Sequence, residues 1–224
     1  MSRSSTLAYI APFCVLILLL GLAQGIHSSS LSLQLSIVAI MCSTMALTAR
    51  RVLEDAKLMR VRNWPGTVLI GVLVFAIWIA PDRIFPGYHT AWPFNNPIMG
   101  RASAVPSGPP GAGAAQAVRA LRAVAVVPIA EELFWRGWLM RWLIAADFEA
   151  VPLGAWSALS FWIVAFLFGS EHGRYWDVGL AAGVIYNWWM LRTRSLGDLI
   201  LTHAITNACL SAYVVFAGRW EYWQ

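Results

Sequence analysis

Two glutamates stand side by side in an apolar run, Glu131 and Glu132 of VPIAEELFWRGW, and Arg136 follows four residues after the second. Burying an unpaired carboxylate costs several kcal/mol, so acids persist in such text only where they are paired or used. On a helix the two glutamates lie about 100° apart and cannot do the same job. Glu132 and Arg136, at i and i+4, can pair. Glu131 shares its stripe with Trp135 and is left without a helical partner. Pro128, three residues before Glu131, removes a backbone donor and predicts a kink. Carbonyls freed by such a kink are tolerated in a membrane where they line a polar cavity.

Two further polar pairs follow at helical spacing. Phe168 and His172 of FLFGSEHG share one face, and His203 and Asn207 of LTHAITNA share another. Taken singly, a histidine at a helix end is usually structural, and an amide beside an imidazole can be glue between helices. Glu132 with Arg136 can likewise be an ion pair that welds helices together. Three such constellations close together in one chain are harder to assign to packing. A carboxylate that takes a proton from water, imidazoles that hold and polarise that water, and an amide N–H for a developing oxyanion are the parts of a hydrolytic site.

The elements that must position these residues are membrane helices. Of 224 residues, 59% are hydrophobic and only 12% charged, and the mean hydropathy is +0.63. Soluble domains carry about 25% charged residues. The fold class is therefore an all-α polytopic transmembrane helical bundle of about seven spans. Roughly 20 apolar residues cross a bilayer. The spans are placed at Leu7 to Ile26, Leu31 to Ala49, Gly66 to Ala80, a broken fourth from about Val118 to Ala145, Val151 to Gly169, a short sixth from Val178 to Met190, and Leu196 to Phe216. The first is too long and too apolar for a signal peptide and reads as an anchor.

Basic residues orient the bundle. Arg50, Arg51, Lys57, Arg60 and Arg62 place the second loop inside, and Arg192 and Arg194 place the sixth turn inside. The uncharged Ser28 to Ser30 turn faces out, so the N-terminus is in and the C-terminus out. The net charge of +5 is accounted for by these loops, without a nucleic-acid partner. Pro81 to Gly113 holds most of the eleven prolines and reads as an external loop ending in a flexible Pro/Gly segment. Within it Tyr88, Trp92 and Phe94 are expected at the membrane interface, and His89 reads as a solvated loop residue. The chain divides into an N-terminal three-helix membrane portion (1–80), this loop (81–117) and a helical core (118–224) with every chemical motif. Cys14, Cys42 and Cys209 fall in apolar spans at unrelated spacings and read as buried packing residues. Cys209 is six residues from His203 and points to another face of that helix.

In order along the chain, EExxxR, FxxxH and HxxxN resemble the motifs of the CAAX-type membrane endopeptidases, a family that includes the eukaryotic Ras-converting CAAX endopeptidase and the bacterial abortive-infection-like proteases. The resemblance spans roughly Val118 to Trp223. The flanking text VPLGAW, FGSEHGRYWDVGLAAGVIYNW and HAITNACL, with a terminal GRWEYW, is similar to a bacterial branch that accompanies exosortase sorting systems. The resemblance implies that Glu131 is the water-activating base, that His172 holds and polarises the water, that His203 and Asn207 stabilise the oxyanion, and that Glu132 and Arg136 support them. It also implies a multi-pass protein of a bacterial inner membrane, a membrane-anchored protein or peptide substrate, and sorting-system partners. No cofactor is expected; zinc held by Glu131, His172 and His203 is the alternative, although no HExxH is present. Two other functions compete with peptidase activity. A non-catalytic accessory that binds hydrophobic C-terminal sorting tails would not need all four polar site residues. A proton-coupled transporter would be expected to show inverted repeats, and none is seen.

Overall fold

The computed structural model describes residues 3–26, 30–96 and 112–223. Seven helical segments make the bundle, and the described residues form no β-strand. The first two are α1 (Arg3–Ile26) and α2 (Leu31–Thr48), and two short turns, Arg50–Leu53 and Ala56–Met59, lead to α3 (Trp64–Ile84). Next comes α4, a composite that starts as Ala112–Leu121 and ends as Met140–Trp142. It is followed by α5 (Ala158–Ser170), α6 (Trp176–Thr193) and α7 (Leu196–Ala217). Among the described residues, α1, α2, α3, α4 and α7 are long and apolar enough to cross a membrane. Their outer faces are apolar, with Leu18, Leu22, Leu69, Val72 and Phe216 exposed to the surroundings. A multi-pass membrane bundle satisfies both facts, because apolar side chains face lipid while backbone polar groups bond within helices.

Several boundaries differ from the sequence expectations, each for a local reason. The fifth helix begins at Ala158, not Val151. Pro152 and a left-handed Gly154 (φ 71°) shape the intervening turn, and the Ser157 hydroxyl caps the helix by accepting from the Ser160 N–H. The sixth helix is longer than expected, at 18 residues, or about 27 Å at the α-helical rise. α3 runs through Pro81 to Ile84. The Pro/Gly-rich end of the external loop, 97–111, lies outside the described residues. Nor are the cysteines buried as expected: Cys14 and Cys42 are exposed on the apolar surface, and Cys209 is half-buried.

His89 is the largest correction in the loop. It is fully buried, with Nδ1 2.6 Å from Asp82 Oδ2 and Nε2 3.0 Å from Asp177 Oδ1. The Arg174 guanidinium donates to its carbonyl, and Tyr222 donates to Asp82. Phe94 turns inward against Tyr88, His89 and Trp176 rather than lying at an interface, whereas Trp92 remains exposed. This knot ties the loop after α3 to the start of α6 and to the chain's last turn.

The opposite end is pinned by Asp198, in the first turn of α7. Its buried carboxylate accepts from the backbone N–H groups of Arg62 and Asn63 and from the Thr67 hydroxyl, at 2.7–3.0 Å. Between the two ends, α5 and α6 form a tight helical pair, and α3 lies along α7. A Cβ on Gly71 would meet the Thr202 carbonyl at 2.8 Å. The bare backbone there lets α3 approach α7 closely enough for the Thr206 hydroxyl to bond the Gly71 carbonyl.

Candidate active site

Three helices carry the site, and α4 sets its shape. α4 is not a simple kinked helix. It passes through π-helical turns at Arg122–Val126 and Leu133–Leu139, with a short α-helical stretch, Val127–Glu132, between them. In the first turn the Val127 N–H reaches back five residues to the Arg122 carbonyl. The next donor in that pattern would belong to Pro128, which has none. Its would-be acceptor, the Ala123 carbonyl, is taken instead by Asn207 Nδ2 at 2.8 Å. The freed carbonyl expected from Pro128 is therefore real, and Asn207 on α7 closes it. Single-turn π segments of this kind recur at functional sites.

One turn further along, Glu132 is completely buried. Arg136 Nη1 donates to both of its carboxylate oxygens, at 3.0 and 3.2 Å. His203 Nδ1 lies 3.0 Å from Oε1 and donates there as well. The Arg136 guanidinium is itself enclosed. Its Nε donates to Asn187 Oδ1 at 2.9 Å, its Nη2 to the Gly183 carbonyl, and it lies over the Phe168 ring at 4.5 Å. Asn187 in turn donates to the Phe161 carbonyl. One ion pair thereby joins α4, α5, α6 and α7.

Glu131 is the opposite case. It is 8% exposed, and its Oε2 is buried with no hydrogen-bond partner. The nearest cation-forming group is His203, whose Nε2 stands 3.9 Å away, beyond hydrogen-bond length. Because His203 Nδ1 is committed to Glu132, Nε2 is the ring atom presented to Glu131. The imidazole is packed against the Tyr186 ring, and the Tyr186 hydroxyl bonds Thr206 one turn along α7.

His172 follows the last turn of α5. Its Nδ1 donates to the Phe168 carbonyl four residues back, at 2.7 Å, which leaves Nε2 as the unprotonated nitrogen. The ring is clamped edge-on by Trp78 of α3 and lies beside Phe168. A Cβ at residue 179 would meet the His172 side chain at 3.1 Å, so Gly179 is the space in which the imidazole sits. The Phe168 ring separates the two histidines, with centroids 4.8 Å from His172 and 6.0 Å from His203. The two imidazoles, from the end of α5 and from α7, are thereby brought to the same aromatic ring.

All six of Glu131, Glu132, Arg136, His172, His203 and Asn207 therefore meet on facing surfaces of α4, α5 and α7. Three contributors carried no motif. Asn187 and Tyr186 brace Arg136 and His203 from α6. Glu171, next to His172, accepts from Trp135 Nε1 at 3.1 Å. Trp135 lies one turn after Glu131 on the same stripe, and that spacing was the available signal that Glu171 reaches the site. Among the described residues no three His, Cys, Asp or Glu side chains are gathered in the arrangement of a metal centre.

The helical membrane bundle thus holds a buried Glu–Glu–Arg cluster together with two histidines and an asparagine. Residues 113–209 match the family model of the type II CAAX prenyl endopeptidases, Rce1-like. The matched segment runs from the start of α4 into α7 and includes all six residues, whereas α1, α2 and α3 lie outside it. No curated protein and no solved structure matches the chain.

Proposed function

We propose that the protein is an intramembrane endopeptidase that hydrolyses a peptide bond in a membrane-associated protein or peptide. The carrying observation is the asymmetry of the two glutamates. Glu132 is saturated by Arg136 and His203, whereas Glu131 holds an unpartnered oxygen in a dry site. A carboxylate held that way is costly to keep unless a reactant donates a hydrogen bond to it. In this reading Glu131 takes the proton of a water that is also held by the lone pair of His172 Nε2. The resulting hydroxide attacks the substrate carbonyl. His203, oriented by Glu132 through Nδ1, presents Nε2 toward the reacting centre, and the second Asn207 amide hydrogen donates to the developing oxyanion. Trp78, Trp135 and Phe168 keep bulk water away, which strengthens each of these interactions.

The finer reading places the protein in a bacterial inner membrane with its N-terminus inside, acting within an exosortase-linked sorting system. The family match supports peptidase chemistry, and the flanking sequence supports the sorting link. The mechanism needs no metal, because Glu131 and His172 together supply a base and a second water ligand.

The test uses purified protein in lipid nanodiscs with internally quenched peptides, prenylated and unprenylated, that end in apolar residues. Wild type should cleave at least one class at a single bond. Glu131→Gln keeps the size and polarity of the side chain but cannot accept the water's proton, and it should be folded and inactive. Wild type that binds these peptides without cutting any of them would replace the peptidase reading with that of a tail-binding accessory.

A further inference from the structure

Peptide hydrolysis needs two proton transfers, one from the attacking water and one to the departing nitrogen. The residues above account for the first. We infer that Glu171 is the general acid of this site, the residue that protonates the leaving amine; the inference rests on the peptidase reading of Glu131.

Glu171 lies in the turn between α5 and α6, immediately before His172. Its Oε1 accepts from Trp135 Nε1, and Trp135 is one helical turn from Glu131. That bond ties the Glu171 carboxyl to the stripe of α4 that carries Glu131. Burial, and after it the neighbouring charge of Glu131, hold the Glu171 carboxyl well above its ordinary value. Two neighbouring carboxylates hold one proton between them more readily than they both ionise. Their surroundings decide which one keeps it. Glu131 faces His203 Nε2 at 3.9 Å and lies next to the Glu132–Arg136 pair. Glu171 instead accepts from a neutral indole. Glu131 is therefore the carboxylate and Glu171 the carboxylic acid, the division of labour that a base and an acid require.

Exposure separates them as well. Glu131 is buried, whereas Glu171, its carboxyl partly covered by Trp135, keeps exposed surface at the end of the bundle that carries the Phe85–Asn96 loop. An acid at that position can be recharged from solvent after each turnover without opening the dry part of the site.

The step balances. Water gives one proton to Glu131, and its oxygen forms the C–O bond while the carbonyl π pair becomes the oxyanion. The oxyanion collapses, the C–N bond breaks, and its electron pair stays on nitrogen, which takes the proton of Glu171. Glu131 then carries one proton and Glu171 none. Transfer of that proton back through solvent restores both, so one water is consumed and one acid and one amine are produced.

The test compares a prenylated, internally quenched peptide with its depsipeptide, in which oxygen replaces the scissile nitrogen. An ester leaving group needs far less protonation than an amine. Glu171→Gln should lower kcat on the amide by about 10²–10⁴-fold and lower ester hydrolysis far less. It should also flatten the alkaline limb of the amide pH–rate profile. Glu131→Gln should abolish both reactions. Trp135→Phe keeps the acid but removes the hydrogen bond that positions it, and should also lower amide turnover more than ester turnover. Equal losses on amide and ester in Glu171→Gln, or wild-type amide turnover, would overturn the inference while leaving the peptidase reading intact. Absence of any Glu131-dependent hydrolysis in the wild type would overturn both.

Discussion

Removing Arg136 tests whether the buried network holds the bundle together. Arg136 and Glu132 have no exposed side-chain surface, and the pair is closed at 3.0 Å. Arg136→Ala leaves the Glu132 carboxylate in the interior with His203 as its remaining bonded partner. It also strips the donors from Asn187 Oδ1 and the Gly183 carbonyl. Breaking one side of a buried pair typically costs about 3–5 kcal/mol. His203 still donates to Glu132, which argues for the lower end, while the orphaned acceptors argue against anything smaller. A loss of about 3 kcal/mol corresponds to a fall in melting temperature of roughly 6–12 °C for a chain of this size. The assay is thermal unfolding in detergent for wild type, Arg136→Ala, and the double variant Glu132→Gln/Arg136→Met. The double variant removes the charge that the single one orphans, because Gln can still accept from His203, and it should melt above Arg136→Ala. An Arg136→Ala melting point within about 2 °C of wild type, less than 1 kcal/mol on the same scale, would refute the network. A double variant less stable than the single one would show that the cost is lost packing on Phe168 rather than an unpaired carboxylate.

Other outcomes follow from the same geometry. His172→Ala should damage cleavage as severely as Glu131→Gln, and combining them should add little, since residues acting on one water are strongly non-additive; multiplicative losses in kcat would separate their roles. Asn207→Ala should cost at least about tenfold in kcat, or roughly 1.4 kcal/mol, and a smaller loss would confine Asn207 to capping the Ala123 carbonyl. Activity should survive prolonged exposure to a strong chelator; loss restored by stoichiometric zinc would make Glu131, His172 and His203 ligands. Burial pulls the His89 imidazole down, but its hydrogen bonds to Asp177 and Asp82 outweigh burial and hold it above its ordinary value. Its charged contacts therefore add stability in full below about pH 6.5, the usual histidine value, and that contribution fades as pH rises through the raised value. The melting-point gap between wild type and His89→Gln should be wider at pH 5.5 than at pH 9, and a gap independent of pH would mean that His89 is held neutral.

Helix number, order and approximate extent were legible because lipid imposes long apolar runs on the chain. The Glu132–Arg136 pair was legible because its spacing is local. What escaped was set by distant partners or by turn chemistry hidden in apolar text. Val151, Leu153 and Trp156 read as the continuation of a span, yet Pro152 and Gly154 turn the chain before Ala158. His89 looked solvated because the carboxylates that bury it come from α3 and from α6, the latter 88 residues away. Asp198 was missed for the same reason, since the backbone donors that satisfy it belong to a loop about 135 residues earlier. Glu171 carries no spacing signature of its own. It reaches the site through one indole hydrogen bond, and only the packing of α5 against α4 makes that bond.

The adjacent glutamates show how local sequence and tertiary packing divide the work. A 100° offset on a helix sends neighbouring side chains to different partners. α7 arrives antiparallel to α4, so His203 meets the glutamates while Asn207, one turn on, meets the π-helical turn ahead of them. The imidazole fits between the two acids. Its Nδ1 is spent on Glu132, and its Nε2 is left facing Glu131. Swapping the order of roles would fail on this backbone. Glu131 has no arginine four residues later, because Trp135 occupies that position, and Glu132 has no open side from which a reactant could approach. The residue saturated by bonds serves to orient the histidine, and the residue left short of one is where chemistry can occur. The same offset extends outward: the Trp135 that replaces a cation for Glu131 is the group that recruits Glu171. The local choice of indole over guanidinium at residue 135 thus leaves Glu131 available as a base and brings a second carboxyl within reach of it.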